Sequence, residues 1–195
     1  MKKIIIAILL TTIFSGFALW ILPPQVLFHH PTDVRMMVSF KNHKPEFEKI
    51  VQMINEDKYL LVVNENTARM ESKDIPLPSE ERLQEYRAFM NQTGIIKISS
   101  SYEKDGKVKS IRFVVSDTYW YGVNGTYKSV KTLNWQANND LEVENVWLDF
   151  VSLPKPEFGA SEGRDGVSKY FTRRVENNWY LSLYIKACSE CTDGD

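Results

Sequence analysis

An apolar run at the start of the chain constrains it more than any other feature. Lys2 and Lys3 precede residues 4–22, where only Thr11, Thr12, Ser15 and Gly16 interrupt the apolar side chains, and Pro23 and Pro24 close the run. As a helix rising 1.5 Å per residue, these 19 residues extend about 28 Å, close to the ~30 Å hydrocarbon thickness of a bilayer. The two lysines at the short end, with no other Lys or Arg before Arg35, favour an N-terminus in the cytoplasm and all later residues outside. A cleaved signal peptide is the competing reading, because Gly16-Phe17-Ala18 is a small-x-small step, although apolar residues 19–22 would follow the cut. We therefore expect residues 1–22 to be a transmembrane anchor or signal peptide. The C-terminal domain is then expected in the periplasm, tethered to the inner membrane as a single-pass protein or secreted after cleavage. Trp20, at the outer end, suits the headgroup belt.

The remainder is long enough for about one domain. Residues 23–195 hold 22 basic and 25 acidic side chains, which argues against nucleic acid as a partner and against attraction to anionic lipid, so the membrane is contacted through the N-terminal helix alone. Three His and two Cys without ligand spacing give no basis for a metal or another cofactor. Residues 23–44 mix His29, His30, Pro31 and Arg35 with scattered apolar residues and read as a stalk in which the adjacent histidines are solvated.

Residues 45–187 read as a single α+β domain, helices first. Pro45 fits a first helical turn, and Phe47, Ile50, Val51 and Ile54 follow the spacing of one buried helical face, widened by Met53. Residues 59–63 form a short apolar strand. Ser79 is a helix N-cap followed by Glu80 and Glu81, which the helix dipole favours; Leu83, Tyr86, Phe89 and Met90 supply the apolar stripe and Gly94 the stop. These two amphipathic helices need a surface to cover, and a mainly antiparallel sheet of five to seven strands provides it. Asp105-Gly106 predicts a two-residue type I′ hairpin that sets Ile98 opposite Phe113, Ile96 opposite Val115 and Ser100 opposite Ile111, with Lys97, Ser99 and Arg112 on the other face. Residues 119–133 are a hairpin about Asn124-Gly125 or one bent strand, and residues 143–151 another strand. Residues 170–175 and 179–186 flank a three-residue loop in which Asn178 takes the left-handed conformation; a two-residue Asn-Asn turn is the alternative.

Residues 83–87 leading to Thr93-Gly94-Ile95, then Ile111-Arg112-Phe113, residues 122–128, and residues 173–181 resemble a group of small, uncharacterised envelope proteins of Gram-negative bacteria. The likeness rests on a helix ending before a Gly-Ile step, a Gly-rich strand with a Lys, and a final strand ending in Asn-Trp-Tyr-Leu. The resemblance implies an exported α+β domain and no particular activity. Val175 in place of Ile, an insertion before Tyr170 and a cysteine-bearing tail depart from the group's pattern.

Few residues carry chemistry. Cys188 and Cys191, in the polar tail of residues 188–195, are disulfide candidates; free thiols or redox work are the alternatives, and the four residues after Cys191 leave no room for the helix a redox motif needs. His43 precedes the first helix, and Ser99-Ser100-Ser101 lies in a strand with no downstream His to act as base. Asp140, Glu142 and Glu144 share one side of a strand that starts early and read as a solvated face; acids converging from distant strands would make a hydrolase. Tyr119-Trp120-Tyr121, with Trp135 and Trp147 nearby, is the leading binding candidate, since consecutive strand residues point to opposite faces and at least one of the three should face solvent. Residues 153–168 are a long loop rich in Gly and Pro, and one of Arg173 and Arg174 should face the interior beside an acidic partner.

These features favour a non-enzymatic binding or interaction module outside the cytoplasmic membrane, with an envelope component or a protein as partner. Neutralising an envelope-acting toxin is one sharp version. An accessory or structural role in envelope assembly and an envelope-polymer hydrolase are the alternatives.

Overall fold

Among the described residues, seven antiparallel strands form one sheet in the order β2-β1-β3-β4-β5-β7-β6, and three helices cover one of its faces. The computed structural model describes residues 30–122, 125–138 and 168–188. The strands are β1 (Leu60–Asn64), β2 (Ala68–Met70), β3 (Lys97–Tyr102), β4 (Val108–Gly122), β5 (Gly125–Gln136), β6 (Ser168–Glu176) and β7 (Trp179–Cys188). The helices are α1 (Asp33–Asn42), α2 (Lys44–Glu56) and α3 (Glu80–Thr93). The expected α+β class stands, with three helices on the sheet instead of two. Residues 1–22, the strand expected over 143–151, the loop over 153–167, the acidic trio and Trp147 lie outside the described residues. Among the described residues no helix is long and apolar enough to cross a membrane.

Helix α1 corrects the stalk reading for residues 33–42. Thr32 caps it by accepting from the Arg35 amide at 3.3 Å, Asp33 sits in the first turn, and Met36 and Phe40, one helical turn apart, are buried. Val34 and Val38 on the opposite side are exposed, and those two valines blur the apolar stripe in the sequence. Helix α2 has Pro45 in its first turn and buries Phe47, Ile50, Met53 and Ile54. Helix α3 is capped as expected: the Ser79 side chain accepts from the Arg82 amide, and Gly94 takes φ 73° at the C-cap.

The core lies between helices and sheet, centred on Phe47. Its ring centroid is 4.9 Å from Phe89, 5.1 Å from Phe113 and 5.7 Å from Trp179, each pair near edge-to-face, the arrangement aromatic quadrupoles prefer. A polar pin ties α2 to α3: Arg82 Nε donates to Asp57 Oδ2 at 2.8 Å and Nη2 to Glu56 Oε2 at 2.6 Å, while Tyr86 Oη donates to the same Asp57 oxygen at 2.8 Å. Burial and then the Asp57 carboxylate push the Tyr86 phenol far above its ordinary value.

The first hairpin keeps two of the expected pairs, Ile98 with Phe113 and Ser100 with Ile111, whereas Ile96, expected opposite Val115, precedes β3 and is exposed; the turn differs as well. Only Gly106 has positive φ, and its amide donates to Glu103 O at 2.9 Å, so the tight turn is centred on Lys104-Asp105. A one-residue register shift between Ser101 and Tyr102 absorbs the difference. Beyond it, β4 and β5 form a hairpin whose ladder closes at Gly122 and Gly125. At the β6–β7 turn, Glu176 pairs with Trp179, so the loop is Asn177-Asn178, shorter than the three residues expected, with Asn178 at φ 65°. A register shift between Arg174 and Glu176 makes Val175 the extra residue, which returns Arg173 and Phe171 to the face of Leu181 and Leu183.

Candidate binding surface

A second bulge decides what each face of the sheet presents. Phe113 pairs with Leu133 on the helix side, but a register shift between Val114 and Ser116 makes Val115 the extra residue. From there Ser116 and Thr118, opposite Lys131 and Ser129, share the helix side, while Asp117 and Tyr119, opposite Val130 and Lys128, point to the outer face. The two faces therefore carry different polar clusters.

On the helix side His30, Asp33, Ser129 and Lys131 are buried. Lys131, 1% exposed, places Nζ 2.8 Å from Asp33 Oδ1 and donates to Pro31 O at 2.8 Å. Arg173 Nη1 lies 3.7 Å from Asp33 Oδ2, so Asp33 at the start of α1 is the acidic partner that the inward arginine needed. His30 is buried, with its ring between the Ser116 and Ser129 hydroxyls, Nε2 being 2.7 Å from Ser129 Oγ. That corrects the expectation of a solvated His30. A neutral imidazole has one donor and one acceptor nitrogen, so one hydroxyl accepts from the ring and the other donates to it. In a serine triad the second nitrogen is oriented by a carboxylate, and here a second serine occupies that side. Ser129 is only 2% exposed, and the cluster ties the segment leading into α1 to the sheet.

On the outer face, a hollow of ≈ 490 Å³ lies across the strands, within the size range of small-molecule sites. Val114 and Thr132, both 4% exposed, are its most buried lining. Lys97 on β3 and Arg112 on β4 stand on one side, and Tyr184 on β7 and the 50%-exposed Tyr170 on β6 on the other; Val130 lies between them on β5. Lys128, also in the lining, sits with Nζ 4.9 Å from the centre of the Tyr119 ring, a cation–π contact.

Of the expected binding residues, Tyr119 is half-buried on this outer face beside the hollow. Trp120 and Tyr121 continue β4 opposite Tyr127 and Thr126, and their side chains lie outside the described residues. Cys188 ends β7, while its side chain and Cys191 also lie outside them. Trp135 lines two other hollows of ≈ 680 and ≈ 930 Å³ at the end of the sheet. Beside these, Lys44 pairs with Glu176 at 2.5 Å and Lys107 with Asp105 at 2.6 Å. Among the described residues no group of three or more His, Cys, Asp and Glu is placed to hold a metal.

Sequence reasoning missed Lys97, Arg112, Tyr170 and Tyr184 because they come from four strands, and only the strand order brings them to one hollow. Periodicity within β3 and β4 places Lys97 and Arg112 on the non-core face, which was the one available signal. No family model, curated protein or solved structure matches this chain.

Proposed function

We propose that this protein is a non-enzymatic binding module held outside the cytoplasmic membrane by residues 1–22, and that it recognises an envelope component through the outer face of its sheet. The observation carrying this reading is the ≈ 490 Å³ hollow on the face opposite the helices, lined among others by Tyr170, Tyr184 and Arg112, residue types enriched at binding hot spots. The helix side is committed to the core and to the buried Asp33–Lys131 pair, so recognition falls to the outer face. The apolar run of residues 4–22 behind Lys2 and Lys3 supports the location.

Two measurements test it. Protease added to spheroplasts should shave the domain and leave a short anchor; a mature N-terminus near Leu19 would replace the anchor with a cleaved signal, and a wholly protected domain would sink the location. A photo-crosslinker placed at Tyr170 in the full-length chain should capture an envelope component. Equal capture from Val38, exposed on α1 away from the sheet, would remove the support for the outer face.

A further inference from the structure

Charge in the outer hollow is unevenly distributed. Lys97 and Arg112 make no ion pair and no side-chain hydrogen bond among the described residues, although they stand on neighbouring strands of one face, with Lys97 opposite Val114 and Arg112 opposite Ser99. Lys128, in contrast, is engaged over the Tyr119 ring. Asp117, the single acid of the lining among the described residues, lies farther along β4, opposite Val130 and past the bulge from Arg112. Lys97, opposite Val114, thus has Arg112 one same-face step away along β4 in one direction and Asp117 one such step in the other. Tyr184 and Tyr170 stand opposite the two cations, with Val114, Thr132 and Val130 between.

We propose that this hollow binds a small amphipathic organic anion, with its acidic group on Lys97 and Arg112 and its apolar body across Val130 against Tyr184 and Tyr170. This rests on the reading of the outer face as the binding surface and names the chemistry that it selects. Arg112 presents a planar fork of donors that fits a carboxylate through two parallel hydrogen bonds, and Lys97 adds a point charge. The buried Val114 and Thr132 form the floor of the hollow beside the two cations.

The test uses the full-length protein in phosphatidylcholine nanodiscs, with 4-phenylbutyrate and its uncharged counterpart 4-phenylbutyramide as probes, measured by calorimetric titration. The anion is expected to bind at least about tenfold more tightly than the amide, one step of 1.4 kcal/mol. The variant Lys97→Gln/Arg112→Gln should lower anion affinity to that of the amide and leave the amide unchanged. Tyr170→Ala should weaken both probes alike, which reports on the hollow even if the double variant fails to fold. Equal affinity of the wild type for the two probes would overturn the anion assignment while leaving the outer face as a binding surface. Binding of neither probe would overturn both.

Discussion

Asp33 and Lys131 form an ion pair of 2.8 Å with side chains 0% and 2% exposed, joining the first turn of α1 to the middle of β5. Removing one partner of a buried pair leaves an uncompensated charge, at a cost of about 3–5 kcal/mol. Lys131→Met is therefore expected to destabilise the domain by that amount in urea unfolding. The double variant Asp33→Leu/Lys131→Met should be less damaged than the sum of the single variants, although Arg173 then loses its partner at 3.7 Å. Additive losses would show that the two charges are not coupled.

The Tyr86 phenol predicts alkaline sensitivity. Its ionisation is raised from the ordinary 10.0 by burial and by the bond to Asp57. Above that pH the unfolded chain releases the proton while the folded chain keeps it. The unfolded state then binds fewer protons, and stability, full below pH 10.0, falls as pH rises, by up to about 1.4 kcal/mol per pH unit for each such group. Tyr102, also raised by burial, adds to the fall. Urea unfolding between pH 9 and 11 (roughly one unit on either side of the ordinary phenol value) should show the decline, and Tyr86→Phe should make it shallower. An unchanged slope in that variant would exclude Tyr86 as its source.

Two glycines give a controlled comparison. Gly94 and Gly106 have φ of 73° and 79°, and a side chain at either meets the left-handed penalty of about 1–2 kcal/mol. A Cβ at Gly94 meets nothing within 4 Å, whereas one at Gly106 lies 2.5 Å from Tyr59 Oη. Gly106→Ala should thus lower the melting temperature further than Gly94→Ala. Equal losses would mean that Tyr59, itself at φ 69°, moves aside at little cost.

Phe47 touches four other aromatic rings, from α1, α3, β4 and β7, and is 2% exposed. Phe47→Ala should cost about 3–5 kcal/mol, the range for deleting a large buried ring. A loss below 1 kcal/mol in chemical denaturation (roughly the scale of a single buried CH₂) would show that the ring cluster collapses to fill the space.

Local chemistry was legible wherever it depended on neighbours in sequence. The Ser79 cap, the Gly94 stop, the left-handed Asn178 and the apolar stripes of α2 and α3 each follow from side chains within a few residues. The pairing of Ile98 with Phe113 followed as well, because a one-residue slip would have put an entire apolar set on the wrong face. What depended on the third dimension was not legible. Strict alternation from Ile111 and Phe113 would send Tyr119 into the core, and the extra residue at Val115 reverses it. Lys131 is buried against Asp33, almost 100 positions away in sequence, and Asp33 is there because residues 33–42 fold as a helix against the sheet. Tyr170 and Arg112 reach one hollow only through the order β3-β4-β5-β7-β6. Periodicity, caps and turns are set by energies acting over one helical turn or one hairpin, whereas bulges, buried charges and strand order are set by which distant surfaces pack together, and only the folded chain determines that.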